Sequence, residues 1–202
     1  MLKYYKIISN IFKNYRFYSI NVLFYELIFL IFYNHRYNKF KYLESDFLSD
    51  SIPCPFLFLK KIERFTYKNN VQNVCDLGSG FGKILYFFGK ICRTKIDGVE
   101  IEKEIYNFSL TLQDNNIKIY NNDILKFNLK NNFYDAFILN DPLKNEKDLL
   151  ELVLKIKKEY KKVYLIFINL DLNKQDLILK NLNVINVFKA SNNKNIFFCK
   201  IS

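Results

Sequence analysis

Three glycines in one short stretch constrain the fold of this chain more than any other sequence feature. The 202 residues include five glycines, and three of these occupy alternate positions in the segment 71–83, which reads VQNVCDLGSGFGK. An apolar run precedes the glycines, and a second apolar run with helical spacing follows them. Glycine is needed where the backbone takes a positive φ or where a ligand approaches the main chain closely. The stretch therefore predicts a strand, a tight turn and a helix whose first N–H groups face a polar or anionic ligand.

Two carboxylates accompany this glycine turn. Asp76 lies at the end of the predicted strand, and Glu100 ends a second strand-like run, 95–100. A carboxylate about twenty residues after the glycines is placed to accept hydrogen bonds from the ribose hydroxyls of an adenosine cofactor. A dinucleotide-binding turn would need a third glycine at position 83, which is Lys83. The pattern therefore disfavours a nicotinamide-dependent oxidoreductase, which stays open as an alternative.

The pattern D-x-G-x-G-x-G resembles motif I of the class I methyltransferases that use S-adenosylmethionine. The resemblance implies a cofactor site made of the turn and its two acids, namely Asp76, Gly78, Ser79, Gly80, Gly82 and Glu100. In that family the first acid supports the methionine end of the cofactor, and the acid after the second strand holds the ribose. An acid after the third strand bonds the adenine amino group, a role that falls here on Asp123. Because Asn-Asn-Asp is also ordinary turn chemistry, both interpretations of Asp123 stay open.

The rest of residues 53–202 alternates between strand and helix patterns, which predicts an α/β fold. We expect a Rossmann-like, seven-stranded, mostly parallel sheet. Helices are predicted at 81–92, 102–115, 146–160 and 176–181, and further strands at 117–120, 134–139, 163–168, 184–189 and 196–201. The last two strands surround the predicted turn 191–195 and would form a carboxyl-terminal antiparallel hairpin, which is characteristic of class I methyltransferases.

The tetrapeptide 140–143, Asn-Asp-Pro-Leu, follows the fourth predicted strand. Ligands of open α/β sheets bind beyond the carboxyl ends of the strands. The tetrapeptide resembles the (Asn/Asp)-Pro-Pro-(Tyr/Phe) motif of amino-methylating members of the superfamily, which implies that Asn140 and Asp141 orient the methyl acceptor, with Asp141 as the candidate base. Leu143 stands where those enzymes carry a stacking ring, which argues against an adenine or glutamine amine. A plain strand-ending turn stays open as the alternative.

Residues 1–52 are predicted to form an amino-terminal helical extension and a connector. Residues 1–42 carry seven Lys or Arg residues and one acid, Glu26. The apolar run 20–33 has fourteen residues, fewer than the about twenty that a membrane-spanning helix needs. We expect a helix that covers part of the catalytic domain at 53–202. Contact of residues 20–33 with a membrane surface is the second interpretation. A further helix is predicted to begin near Pro55, after a proline-containing connector.

Composition bears on disorder, on the charge of partners, on metal binding and on the cellular compartment. An apolar content of 50% excludes a disordered chain. The net charge of +11 is discounted because abundant Lys, Asn, Ile, Phe and Tyr resemble the codon bias of an AT-rich genome, so acidic partners are favoured only weakly. Four cysteines without a C-x-x-C pair, and a single histidine, predict no metal site. We expect reduced thiols in a cytoplasmic protein and no cleaved signal.

The predicted function is methyl transfer from S-adenosylmethionine to an acceptor that the sequence leaves undetermined. The chain looks closest to small bacterial methyltransferases with Asn-Asp-Pro after the fourth strand. It has a looser similarity to short protein-lysine methyltransferases that carry a hydrophobic amino-terminal segment. These resemblances favour a protein lysine or a small molecule over nucleic acid as the acceptor. A catalytically inactive nucleotide-binding module of the same fold stays open.

Overall fold

The computed structural model describes residues 11–39, 50–191 and 193–202, together with Ser9 and Lys41. Its strands are β1 (Asn73–Leu77), β2 (Lys95–Glu100), β3 (Ile117–Asn121), β4 (Ala136–Asn140), β5 (Val163–Ile168), β6 (Asn183–Ser191) and β7 (Lys194–Ile201). They form one sheet in the order β3-β2-β1-β4-β5-β7-β6. Strands β1 to β5 are parallel, whereas β7 pairs antiparallel with both β5 and β6. The predicted mostly parallel sheet with a carboxyl-terminal hairpin is confirmed.

The helices precede the sheet or connect its strands. They are α1 (Ser19–Phe32), α2 (Phe56–Lys68), α3 (Lys83–Leu85), α4 (Lys103–Ser109), α5 (Glu146–Glu159) and α6 (Leu172–Leu179). Helix α3 continues directly into a π-helical segment, Tyr86–Ile91. Short 3₁₀ turns lie at Arg16–Tyr18, His35–Tyr37, Leu110–Leu112 and Leu129–Asn131. The connector predicted before α2 falls largely on residues 42–49, which lie outside the described residues.

Both faces of the sheet are covered by apolar layers. Along β4, Ile138 belongs to the cluster shared with α1 and α2, while Phe137 and Leu139 belong to the cluster shared with α5. Successive side chains of a strand point to opposite faces, so a strand covered on both sides is apolar at every position. This burial explains why the run 163–168 is continuously apolar instead of alternating.

Several element boundaries differ from the sequence predictions for identifiable reasons. The helix predicted at 176–181 begins at Leu172 because the Asp171 carboxylate caps it by accepting a hydrogen bond from Lys174 N at 2.9 Å. The helix predicted from 81 begins at Lys83 because Gly82 has φ +85° and ends the turn. The predicted turn 191–195 is mostly strand, since β6 extends to Ser191 and β7 begins at Lys194.

One face of helix α1 packs against α2 and the adjoining core. Ser19, Val22 and Phe29 on that face are buried, and the Phe29 ring lies 5.2 Å from the ring of Phe56 at the start of α2. Within the described part of the chain, no helix combines the length and the apolar character that crossing a membrane requires.

Candidate active site

A single cleft at the carboxyl ends of β1, β2 and β4 gathers most of the predicted site residues. The residues on its wall include Gly78, Ser79, Gly80, Glu100, Asp123, Asn140 and Asp141. Parallel strands end at the same edge of a sheet, so residues distant in sequence meet there. The segment 50–54, directly before α2, lines the opposite wall. Asp76 and Gly82 are not on the wall: Asp76 is buried in β1, two residues before Gly78, and Gly82 directly precedes α3.

The glycine turn needs glycine for both backbone and space. Gly78 and Gly80 have φ of +86° and +54°, a region that other residues rarely adopt. A Cβ on Gly78 would lie 2.7 Å from Pro142 Cβ, and one on Gly80 would lie 2.7 Å from Ser51 Oγ. The turn is closed against β2, because Gly78 N and Ser79 N both donate to the Val99 carbonyl, at 2.9 and 3.0 Å. Glycine is therefore required at both positions, because neither the backbone conformation nor the space beside Pro142 and Ser51 admits a side chain.

Asp76 is a buried carboxylate without a partner. It is fully buried, and neither of its oxygens has a hydrogen-bond partner among the described residues; the Ser79 hydroxyl is buried and unpaired as well. Burial raises the pKa of Asp76 well above its ordinary value, and repulsion from the Glu100 carboxylate adds to the shift. A buried polar group without a partner is costly in a folded protein. Because Asp76 is enclosed and off the cleft wall, its contact with the cofactor stays a prediction.

Glu100 is held in a fixed orientation toward the glycine turn. Its Oε2 accepts a hydrogen bond from Gly80 N at 2.8 Å, and its Oε1 accepts one from Glu102 N at 2.9 Å. Burial raises the pKa of Glu100, while these backbone N–H groups act in the opposite direction. Each carboxylate oxygen can accept a further hydrogen bond. The side chain can therefore fix the turn and still receive two hydroxyls from a ligand in the cleft.

Asp123 forms the turn that the sequence suggests and also lies on the cleft wall. Its Oδ1 accepts a hydrogen bond from Leu125 N at 2.9 Å, which is an Asx turn. The same residue is half-buried and lines the cleft. The turn fixes the backbone at this corner, and the contact with adenine stays a prediction.

A polar network surrounds Asn140 at the end of β4. Asn140 Nδ2 donates to the Ile52 carbonyl at 2.9 Å, and Asn140 Oδ1 accepts from Asn169 Nδ2 at 2.9 Å. The other amide atom, Asn169 Oδ1, is buried without a partner among the described residues. Leu143 is 3% exposed and belongs to the core below α5, so position 143 presents no ring to the cleft. Asn169 follows β5 and was not identified from the sequence, although it occupies the same sheet edge.

Asp141 forms an ion pair with a buried lysine. Lys174 Nζ lies 2.5 Å from Asp141 Oδ1, and the lysine side chain is only 5% exposed. Burial raises the pKa of Asp141, and the neighbouring Lys174 ammonium opposes that shift. Asp141 also has a φ of +45°, in the left-handed region. The side chain is thus firmly positioned, with Oδ2 outside the ion pair.

Lys83 and Glu26 were not predicted as a pair. Lys83 lines the cleft, and its Nζ lies 3.0 Å from Oε2 and 3.1 Å from Oε1 of Glu26 on α1. The sequence signal was Glu26 itself, an isolated acid in an apolar run. Such an acid indicates that a partner compensates its charge, but the sequence does not identify that partner.

The described residues contain no group of three or more His, Cys, Asp or Glu side chains that could hold a metal ion. Cys54, Cys75 and Cys199 are buried free thiols, and Cys92 is a partly exposed one. Burial raises the pKa of Cys199 to about 12. The thiols therefore behave as small apolar side chains.

Comparison with known proteins shows which proteins this chain is similar to. A family model described as ribosomal RNA adenine dimethylase matches residues 34–190. The magnesium protoporphyrin IX methyltransferase of Synechocystis, solved with bound S-adenosylmethionine, aligns with a TM-score of 0.59 and 12% identity over 72% of this chain and 79% of that chain. An RNA methyltransferase of Salinibacter ruber, solved with S-adenosyl-L-homocysteine, aligns with a TM-score of 0.58 and 12% identity over 74% of this chain and 94% of that chain. A putative RNA methyltransferase of Pyrococcus horikoshii aligns with a TM-score of 0.55 and 19% identity over 74% of this chain and 85% of that chain. A search among curated protein sequences finds no match.

The fold and the cleft together define a class I methyltransferase that uses S-adenosylmethionine. The residues present fit this cofactor, because Gly78, Ser79 and Gly80 line the cleft beside Glu100, whose carboxylate can still accept hydroxyl donors. The chain belongs to the ribosomal RNA adenine dimethylase family, whose model matches well over half of it. These matches are all methyltransferases, and none supports the nicotinamide-dependent oxidoreductase alternative. The individual roles of the site residues stay predictions.

Proposed function

We propose that the enzyme methylates an amine nitrogen, carried by a protein lysine or by a small molecule. The observation that carries this proposal is the polar network at the end of β4. Asn169 Oδ1 is buried without a partner beside Asn140, and Asp141 has one carboxylate oxygen outside its ion pair. Asn140 and Asp141 line the cleft, with Asn169 held against Asn140, and hydrogen-bond acceptors at this edge suit a methyl acceptor that brings N–H groups. The stacking ring that a planar base would use is missing at Leu143.

The protein contributes positioning more than acid–base chemistry. When bound, S-adenosylmethionine supplies an activated methyl group on a sulfonium. Asn140 is held from both sides by Ile52 and Asn169, so its amide has one orientation. That fixed amide would align the acceptor nitrogen for in-line attack, which supplies much of the rate. Asp141, positioned by Lys174, is the group placed to take a proton from the acceptor.

An adenine of RNA is the second candidate acceptor. The family description supports it, and a net charge of +11 suits a polyanionic partner. Aromatic side chains of the cleft wall, Tyr37 and Phe81, would then have to provide the stacking that Leu143 does not. The two candidates differ in the chemical class of the methylated product, so one experiment separates them.

The test is transfer of isotope-labelled methyl groups from S-adenosylmethionine into a host lysate. The product is split into protein, nucleic-acid and small-molecule fractions and treated with protease or ribonuclease. We expect label in the protein or small-molecule fraction, and we expect Asn140→Ala to abolish it. Glu151→Gln, an exposed substitution on α5, is the matched control and should transfer like the original chain. Ribonuclease-sensitive label would favour the RNA candidate, and full activity of Asn140→Ala would remove Asn140 from the acceptor site.

We also propose that the outer face of α1 contacts an anionic lipid surface. Opposite the packed face, an apolar stripe with helical spacing is exposed: Ile20, Phe24, Leu27 and Ile31, continued by Phe17 in the 3₁₀ turn before the helix. The helix has 14 residues, so it is about 21 Å long, too short for a bilayer core of about 30 Å. Its packed face also ties it to the domain. A helix held in this way can lie in the membrane interface without crossing it.

Charge favours lipid over a second copy of the chain as the occupant of this stripe. Exposed Lys13 precedes α1 and exposed Arg36 and Lys39 follow it, whereas Glu26, the acid of α1, is on the packed face and paired with Lys83. Two copies facing each other would bring cations together, and an anionic headgroup layer would neutralise them.

Vesicle sedimentation tests the lipid contact. We expect binding to vesicles that contain phosphatidylserine, weaker binding to pure phosphatidylcholine vesicles, and loss of binding in Phe24→Ser/Leu27→Ser. Phe133→Ser removes another exposed ring outside α1 and should bind like the original chain. Equal sedimentation of the α1 variant would contradict the proposal. A dimer in gel filtration that this variant dissociates would assign the stripe to a second copy instead.

A further inference from the structure

The ion pair between Glu26 and Lys83 is an unusual feature of the cofactor cleft. Lys83 is the first residue of α3, directly after the glycine turn, and it is 4% exposed. A buried ammonium is costly unless a carboxylate compensates it. Glu26 provides that compensation at 3.0 and 3.1 Å, and the Phe29 ring lies 4.7 Å from the ammonium. The cation beside the cofactor turn is thus neutralised by a residue from the amino-terminal extension.

Glu26 also joins the elements that surround the cleft. Its Oε1 accepts a hydrogen bond from Phe56 N at 2.5 Å, at the first residue of α2. Its Oε2 accepts a longer one from Asn38 Nδ2 at 3.4 Å. Both donors are close in sequence to residues that line the cleft: Phe56 comes two residues after Cys54, and Asn38 directly precedes Lys39. One carboxylate therefore connects α1, the start of α2 and the start of α3.

The charge of this pair matters because the cofactor and its product differ in charge. S-adenosylmethionine has a sulfonium, an ammonium and a carboxylate, so it is a net cation, whereas S-adenosylhomocysteine lacks the sulfonium and is neutral. An uncompensated ammonium in a poorly hydrated cleft would repel the substrate form more than the product form. A neutral pair leaves the preference to the acids that line the cleft, such as Glu100 and Asp123.

We propose that Glu26 is a positioning residue of the cofactor site, which neutralises Lys83 so that the cleft accepts a sulfonium cation. The amino-terminal helix then contributes to cofactor selectivity as well as to packing. This role depends on the cofactor alone and is independent of the methyl acceptor, so failure of the acceptor proposal leaves it unaffected.

Calorimetry with both S-adenosylmethionine and S-adenosylhomocysteine tests the charge role directly. In Glu26→Gln we expect the affinity ratio of the substrate form to the product form to fall about tenfold, because only the cation is repelled by the uncompensated Lys83. Lys83→Met has the opposite effect, because it leaves an uncompensated anion, and should raise the ratio. The double variant Glu26→Gln/Lys83→Met should return the ratio to that of the original chain.

Controls separate this role from simple loss of packing. Glu159→Gln removes the carboxylate of another ion pair, with Lys130 outside the cleft, and should leave the ratio unchanged. Thermal melting confirms that each variant is folded at the calorimetry temperature. If Glu26→Gln does not fold, the test uses the increase of the affinity ratio in Lys83→Met and the return of that ratio to its original value in the double variant. Equal weakening of both ligands, or an unchanged ratio in Lys83→Met, would overturn the proposal.

Discussion

Replacement of Glu100 by Gln separates the structural part of the cofactor site from its binding part. The Glu100 carboxylate accepts hydrogen bonds from Gly80 N and Glu102 N in a position that is 6% exposed. A Gln amide has a single acceptor oxygen, so its NH₂ group must face one of these two donors. Net hydrogen bonds to charged groups contribute about 1.5–3 kcal/mol. We therefore expect the free energy of unfolding of Glu100→Gln to fall by about this amount.

The cofactor affinity should fall separately. The ribose hydroxyls would donate to the same carboxylate, and loss of one charged acceptor of about 1.5–3 kcal/mol corresponds to a dissociation constant about 10 to 100 times higher. Calorimetry with S-adenosylmethionine, at a temperature where urea unfolding shows the variant folded, measures this change. Glu151→Gln is the control for charge removal at an exposed site. An unchanged dissociation constant in a folded but less stable Glu100→Gln would mean that Glu100 holds the turn and does not contact the cofactor.

Three further predictions test the site and its packing. Because burial raises the pKa of Asp76, the folded chain without cofactor binds a proton that the unfolded chain releases near pH 4. Stability should therefore decrease as the pH rises above that value, and urea unfolding of Asp76→Asn should show a flatter pH profile; parallel profiles would contradict the assigned burial. Gly78→Ala puts a Cβ 2.7 Å from Pro142 Cβ in a residue with a φ of +86°. We therefore expect the free energy of unfolding to fall by about 1–2 kcal/mol and calorimetry to show weaker cofactor binding. Unaltered values of both quantities would refute the steric argument. Phe29→Ala leaves a cavity at a fully buried position of α1 and should lower the free energy of unfolding in urea by about 3–5 kcal/mol. Phe24→Ala, at a position that is 59% exposed, should lower it far less. Similar losses in the two variants would mean that α1 does not pack as described.

The glycine turn shows how much of the site local sequence can predict. Positive φ at Gly78 and Gly80 is a property of the residues themselves, and the strand before them and the helix after them follow from apolar spacing. Since parallel strands end at one sheet edge, the meeting of Glu100 and Asn140 in one cleft also follows from the predicted alternation. These features depend on short-range patterns.

Other features required partners that are distant in sequence. The sequence placed the sixth helix four residues too late, because the capping action of Asp171 depends on its side-chain orientation. It identified Asn140 but not Asn169, since the pairing of their amides requires β4 and β5 to be adjacent. It named Asp141 as the candidate base but not its ion pair with Lys174, whose ammonium lies 2.5 Å away.

The sequence by itself determined the fold class, the cofactor and the edge of the sheet where the site lies. The fold class and the sheet edge rest on residue periodicity, glycine conformation and the order of elements along the chain, and the cofactor rests on the resemblance of the glycine motif to that of class I methyltransferases. Only the tertiary structure decided that Lys83 is neutralised by Glu26, that Asn140 is fixed from both sides, and that α1 leaves an apolar stripe exposed. Burial selects such contacts, because a charge or an amide removed from water takes whichever partner the packing brings within reach.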